Sequence, residues 1–180
     1  MAKALVIVDV QPAFRSFCDC IAKQVAQTIN RARCPVVIYW VGEGLTDDTE
    51  ETVRWYLGRN GATQSRLAEA RFIEKDYGFL RGWMDWGVEP DIIIKAGKAL
   101  LKNGVNDSRN IDLTSVLDEY DLHCLPPVSP LMLPAFDIQS MLAVENVDIC
   151  GGGTEQCLAE MEYVLAMHNK PYNRLSHLTY

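Results

Sequence analysis

The chain has 180 residues, enough for one domain with a sizeable buried core. Hydrophobic residues make up 48% and charged residues 23%, so a soluble folded domain is expected rather than disorder. The formal net charge of -7 and the lack of a Lys/Arg cluster argue against nucleic acid or an anionic membrane as partner.

No apolar stretch reaches the ~20 residues that span a bilayer. The opening MAKALVIVDVQPAF is interrupted by Asp9, so it reads as a first strand rather than a signal peptide. Six cysteines (18, 20, 34, 124, 150 and 157) show no zinc-ligand spacing and are expected as reduced thiols in a cytoplasmic protein.

In chain order, Ala4–Val8 is a continuous apolar run, as in a strand buried on both faces. Cys18–Ala32 has helical spacing through Ile21, Val25 and Ile29, and Pro35 closes it. Val36–Trp40 is a second buried strand. An acidic loop with a helix near Thr52–Leu57 follows, then an aromatic-rich stretch from Gln64 to Val88. Asp91–Ile94 is predicted as a third strand ending at Lys95. Leu113–Tyr120 is predicted as a helix, Leu122–Leu125 as an extra strand, Phe136–Val144 as a helix and Val147–Cys150 as a strand. Glu155–Asn169 is predicted as the last helix, with a short segment after Pro171. Strands alternating with helices imply one α/β domain, a Rossmann-like three-layer sandwich with a mainly parallel central sheet.

Active sites of such sheets lie beyond the carboxyl ends of the strands. Three places qualify: Asp9, Lys95, and the turn from Gly151 to Cys157. A thiol at a strand-to-helix turn meets unpaired N–H groups and a partial positive charge, which favour the thiolate and can hold an oxyanion. Cys157 reads either as such a nucleophile or as a small core thiol. Asp9 reads either as a turn residue or as a site residue, and Lys95 as a site cation or a solvated strand end. The triple glycine lacks the Lys-Ser/Thr of a phosphate loop, and Gln156 stands where a dinucleotide fingerprint needs glycine.

ALVIVDVQPAF, with Asp9, Gln11 and Phe14, resembles the Asp-x-Gln-x-x-Phe opening of the isochorismatase-like cysteine hydrolases. VDICGGGTEQCL resembles that family's strand followed by Gly-x-x-Thr-x-x-Cys, and EPDIIIKAGKALL resembles its lysine-bearing segment. The resemblance covers about residues 3 to 172 of a single domain over 1–180, with an insertion expected near 100–132. It implies an Asp9-Lys95-Cys157 triad, with Lys98 the substitute for Lys95. It also implies a cis peptide before Gly153 and an oxyanion hole from the N–H groups of Gly153 and Cys157. Thr154 falls on a fixed motif position, and Phe14, Trp40 and one or two residues of the aromatic middle segment are expected to line the substrate pocket. The implied chemistry is hydrolysis of a C–N bond in a small amide, carbamoyl or ureido compound through a thioester, by a homo-oligomer.

No histidine follows strand two, so the zinc site of nicotinamidases is not expected and no cofactor is implied. Glu43, Asp47 and Asp48 read as a solvated acidic loop. Two other functions remain open: a non-catalytic binding member of the family, and a vinyl-ether hydrolase, whose chemistry does not use the cysteine.

Overall fold

The computed structural model describes residues 3–42, 44–119 and 130–180. Its centre is a five-stranded sheet in the order β3-β2-β1-β4-β5, with every neighbouring pair parallel. The strands are β1 (Lys3–Val8), β2 (Val36–Trp40), β3 (Arg71–Glu74), β4 (Asn146–Gly151) and β5 (Tyr172–Thr179). The helices are α1 (Arg15–Arg31), α2 (Glu50–Arg59), α3 (Gln64–Glu69), α4 (Arg81–Asp85), α5 (Pro90–Asn103), α6 (Thr114–Glu119), α7 (Gln139–Leu142) and α8 (Cys157–Met167).

The period-2 alternation of strand side chains divides the core into two layers. Val6 and Val8 of β1, Val37 and Tyr39 of β2, and Val147 and Ile149 of β4 pack with buried residues of α4 to α8. Leu5, Ile7, Val36, Ile38 and Cys150 pack with α1, α2 and α3. The result is a three-layer α/β sandwich. Helix α1 buries Cys18, Ile21, Ala22, Val25, Ala26 and Ile29, one stripe at helical spacing. Helix α2 begins with a reciprocal cap: Thr49 Oγ1 accepts from the Thr52 N–H, and Thr52 Oγ1 accepts from the Thr49 N–H.

The structure corrects the third strand. Asp91–Ile94 lies inside α5, whose buried positions are Ile92, Ile93, Ala96, Gly97 and Leu100. That spacing is helical, Pro90 opens the first turn, and Gly104 ends it in the left-handed region at φ 65°. Three consecutive isoleucines favour a strand locally, but the stripe they begin continues at helical period to Leu100. The third strand is instead β3, a short edge strand with one buried residue, Ile73. The segment after Pro171 is also a strand, β5, and the helix expected over Phe136–Val144 contracts to α7. The predicted strand at Leu122–Leu125 lies outside the described residues. The excursion from Gly104 to Leu133 is closed at its base, where the Ser108 N–H donates to Leu131 O and the Leu133 N–H to Asn106 O. Among the described residues no helix is long and apolar enough to cross a membrane.

Strands β1, β2 and β3 step outward in one direction, while β4 returns to the other side of β1. The sheet therefore reverses between β1 and β4, and the crevice beyond their carboxyl ends is the place for a ligand.

Candidate active site at the switch point

Asp9 leaves β1 and Cys157 opens α8 after β4, so the two ends that flank the crevice carry these side chains. Asp9 has φ 55°, a left-handed conformation that Asp tolerates better than most residues. Its N–H donates to Tyr39 O at 2.9 Å, and its carbonyl accepts from the Tyr180 hydroxyl at 2.8 Å. These two bonds fix the turn that delivers the carboxyl to the crevice.

The glycine turn after β4 fits against β1. A Cβ on Gly151, at φ 107°, would stand 1.9 Å from Val8 O, and one on Gly152 would stand 2.3 Å from the Tyr180 ring. Only glycine permits this approach. The Gln156 and Leu158 N–H groups both donate to Gly153 O. The N–H groups of Gly153 and Cys157 donate to no described residue, which leaves both available at the helix N-terminus.

The cation beside Asp9 is Lys75. Its Nζ lies 3.3 Å from Asp9 Oδ2, and both side chains are 1% exposed. Lys75 directly follows β3, and its N–H donates to Trp40 O at 2.8 Å, extending the β2–β3 ladder by one residue. Lys95 does not enter the site: it sits on α5, 37% exposed, and pairs with Glu119. Lys98, the proposed substitute, donates to Asn169 Oδ1. The sequence expectation for the lysine is thus corrected, for the same reason as the third strand. The visible signal for Lys75 was a lysine placed directly after Phe72-Ile73-Glu74.

Burial raises the Asp9 carboxyl above the ordinary range, against the opposing charge of Lys75 and a hydrogen bond from Cys157. Neither Asp9 oxygen holds a hydrogen bond of good geometry, so its partners are the ion pair and the neighbouring thiol. The Cys157 thiol is pushed up to about 12 by burial and by the Asp9 charge, with Lys75 pulling the other way. The helix N-terminus was expected to favour a thiolate. In the folded protein burial outweighs it, and the resting sulfur is a thiol. For Lys75, burial lowers the pKa, but Asp9, Cys157 and Glu160 together hold it above the ordinary lysine value.

A pocket of about 280 Å³ opens over this cluster, lined by Asp9, Phe14, Phe17, Tyr77, Gly153, Gln156, Cys157 and Tyr180. Phe14, expected to line a pocket, is among its walls, and Gly153 stands beside Cys157 at its rim. Trp40 does not line it: it is buried in the other layer, with α1 and α2. Thr154 serves as a clamp, its N–H and hydroxyl both donating to Tyr180 O at 2.8 and 2.6 Å. Gln11 is wholly buried and ties down the exit of β2, accepting from the Val41 N–H and donating to Val41 O and Asp48. Asp48 also accepts from the Ala13 N–H, so its carboxylate is spent on that loop. Glu43 lies outside the described residues. No cis peptide occurs among the described residues, so the one expected before Gly153 is absent. Tyr77 comes from the aromatic middle segment expected to contribute to the pocket. Phe17, Tyr180, Arg81 and Glu160 were not foreseen: Tyr180 and Arg81 arrive from elements remote in sequence, and Phe17 and Glu160 sit on helices next to expected residues and carry no motif signal.

The fold and the cluster together define a doubly wound parallel α/β protein with a thiol, a carboxylate and an ammonium at its switch point. Comparison with protein-family models, curated proteins and solved structures returns no match.

Proposed function

We propose that the protein is a cysteine hydrolase of the isochorismatase-like type, cleaving a C–N bond of a small amide, carbamoyl or ureido compound. The observation that carries this reading is the convergence of Asp9, Lys75 and Cys157 beneath one pocket, on turns at the carboxyl ends of β1, β3 and β4. The raised Asp9 carboxyl suits a base that must take a proton, and a thiol near 12 needs one.

Asp9 accepts the Cys157 proton as Sγ attacks the carbonyl carbon. The oxyanion is met by the N–H groups of Gly153 and Cys157. As the C–N bond breaks, Asp9 gives its proton to the leaving nitrogen. Water then attacks the thioester, Asp9 takes its proton, the C–S bond breaks, and the thiol is re-formed. Lys75 holds the negative charge in place at each stage. The sum is amide plus water giving acid plus amine, with no group beyond the chain's own side chains. The presence of Cys157 in the pocket favours this reading over vinyl-ether hydrolysis, which has no use for a nucleophilic sulfur.

The test is ammonia release from a panel of small primary amides, N-carbamoyl and ureido compounds, with acid-quench mass spectrometry of the Cys157 peptide. A turned-over compound should leave an acyl mass on Cys157, and Cys157→Ala should lose several orders of magnitude in kcat. A Cys157→Ala protein retaining more than about a tenth of the activity would place the reaction elsewhere. Compounds that bind tightly yet never acylate Cys157 would establish the non-catalytic reading instead.

A further inference from the structure

The reaction above leaves two charged side chains of the site without a role. Arg81 opens α4, and its Nη2 lies 3.8 Å from Cys157 Sγ. Its guanidinium also lies over the Tyr77 ring, 5.5 Å from the centroid. No carboxylate of a described residue forms an ion pair with it, and its buried Nε has no hydrogen-bond partner. Glu160 is fully buried on α8, one turn after Cys157. Its Oε1 accepts from the Leu80 N–H at 2.9 Å, and its Oε2 has no hydrogen-bond partner.

We infer that Arg81 is a second cation for the thiolate, helping to draw the proton from Cys157 to Asp9, and that Glu160 is the positioning residue that sets it there. The inference rests on Cys157 being the nucleophile. Proton transfer moves one negative charge from the Asp9 carboxyl to Sγ without changing the total charge of the cluster. Lys75 is paired to Asp9 before the transfer and is near Sγ after it. Arg81 also favours the charged Asp9 carboxyl from farther off, but its direct contact is with the sulfur, so it stabilises the state after transfer more than the state before.

Leu80 immediately precedes Arg81, and Glu160 shares a helix with Cys157. The Leu80–Glu160 bond therefore ties the arginine-bearing turn to the element that carries the nucleophile. The charge of Glu160 works against a thiolate. Its value to the site is geometric.

The experiment uses the full chain and iodoacetamide, with alkylation read on the Cys157 peptide by mass spectrometry as a function of pH. The charged or titratable groups facing Sγ are Asp9 from β1, Lys75 after β3, Arg81 on α4, Glu160 on α8 and the Tyr180 hydroxyl after β5. Arg81→Gln should move the profile up by about one pH unit, a tenfold slower alkylation at fixed pH, and Arg81→Lys should recover part of it. Glu160→Gln keeps an acceptor for the Leu80 N–H and removes a negative charge, so alkylation should quicken. Glu160→Ala removes the anchor and should slow it toward Arg81→Gln. Thermal melting checks that each variant folds. Arg81→Met, which keeps the stem over Tyr77, replaces the Gln variant if that one does not. A neutral Arg81 variant whose profile superimposes on wild type overturns the inference, as does a Glu160→Gln variant slower than wild type. Neither result changes whether Cys157 carries the acyl group, whereas failure of the hydrolase reading appears as turnover that survives Cys157→Ala.

Discussion

The Lys75 ammonium stands 3.3 Å from the Asp9 carboxylate at the end of the sheet, with both side chains withdrawn from water. Removing one partner of a buried pair leaves the other as an uncompensated charge. Lys75→Met should therefore cost about 3 kcal/mol of stability, eased where Asp9 takes up a proton, and should reduce turnover by orders of magnitude. Lys95→Met, on a partly exposed helix face, should change stability by no more than about 0.5 kcal/mol and leave turnover at the wild-type level. Urea unfolding and steady-state kinetics on the pair decide which lysine belongs to the site. Turnover lost in the Lys95 variant and kept in the Lys75 variant would reverse the assignment.

The Tyr180 hydroxyl donates to the carbonyl of Asp9, the residue held at φ 55°. Tyr180→Phe keeps the ring that walls the pocket and removes only this bond. The expected cost is about 1 kcal/mol of stability, with a fall in kcat and little change in KM, because the base loses alignment while the pocket keeps its shape. A KM rise at constant kcat would show that the hydroxyl serves substrate binding.

Two glycines separate a steric requirement from mere tolerance. Gly151→Ala puts a methyl group 1.9 Å from Val8 O at φ 107°, against backbone that cannot move aside. It should destabilise by about 3 kcal/mol or more. Gly58 lies inside α2, where the nearest atom to a new Cβ is Leu67 Cδ1 at 3.6 Å, an ordinary contact. Gly58→Ala should stabilise by about 0.5–1 kcal/mol through the lower backbone entropy of the unfolded chain. Denaturant midpoints of the two variants should move in opposite directions.

Burial raises Glu160 above the ordinary carboxylate value, despite the Leu80 N–H, Lys75 and Arg81. The folded state therefore holds this proton more tightly than the unfolded chain does. The stability it contributes is fully present below the ordinary carboxylate pKa and is lost as pH rises through the raised one. Glutamine carries no such proton. Glu160→Gln should match wild type in acid and gain on it as pH rises toward neutrality, since Asp9 shifts the same way in both proteins. Chemical unfolding at a series of pH values checks this, and a gap that narrows with rising pH would contradict it.

Much of the fold could be read from local pattern. The runs at Ala4–Val8 and Val147–Cys150 are apolar enough to demand burial on both faces, so their ends, Asp9 and the glycine turn before Cys157, could be placed at one edge of a parallel sheet. The stripe in α1 was equally legible. These features depend on near neighbours in the chain, and burial of a continuous run needs no knowledge of what covers it.

The second half of the site depended on pairing between distant segments. Strand β3 buries one residue of four, and its two ends, Arg71 and Glu74, are charged, so its own sequence carries little strand signal. It becomes a strand because β2 offers it a free edge, and the bond from the Lys75 N–H to Trp40 O then delivers the ammonium to Asp9. The same holds for Arg81 and Tyr180, brought to one sulfur or one turn from remote parts of the chain, and for the Leu80–Glu160 bond, which joins segments 80 residues apart. Sequence determined which positions must be buried and where strands must end. Only tertiary structure decided which cation meets the carboxylate, and whether a thiol at a helix N-terminus is ionised. Register and burial are properties of the assembled sheet, and neither is encoded within any single segment.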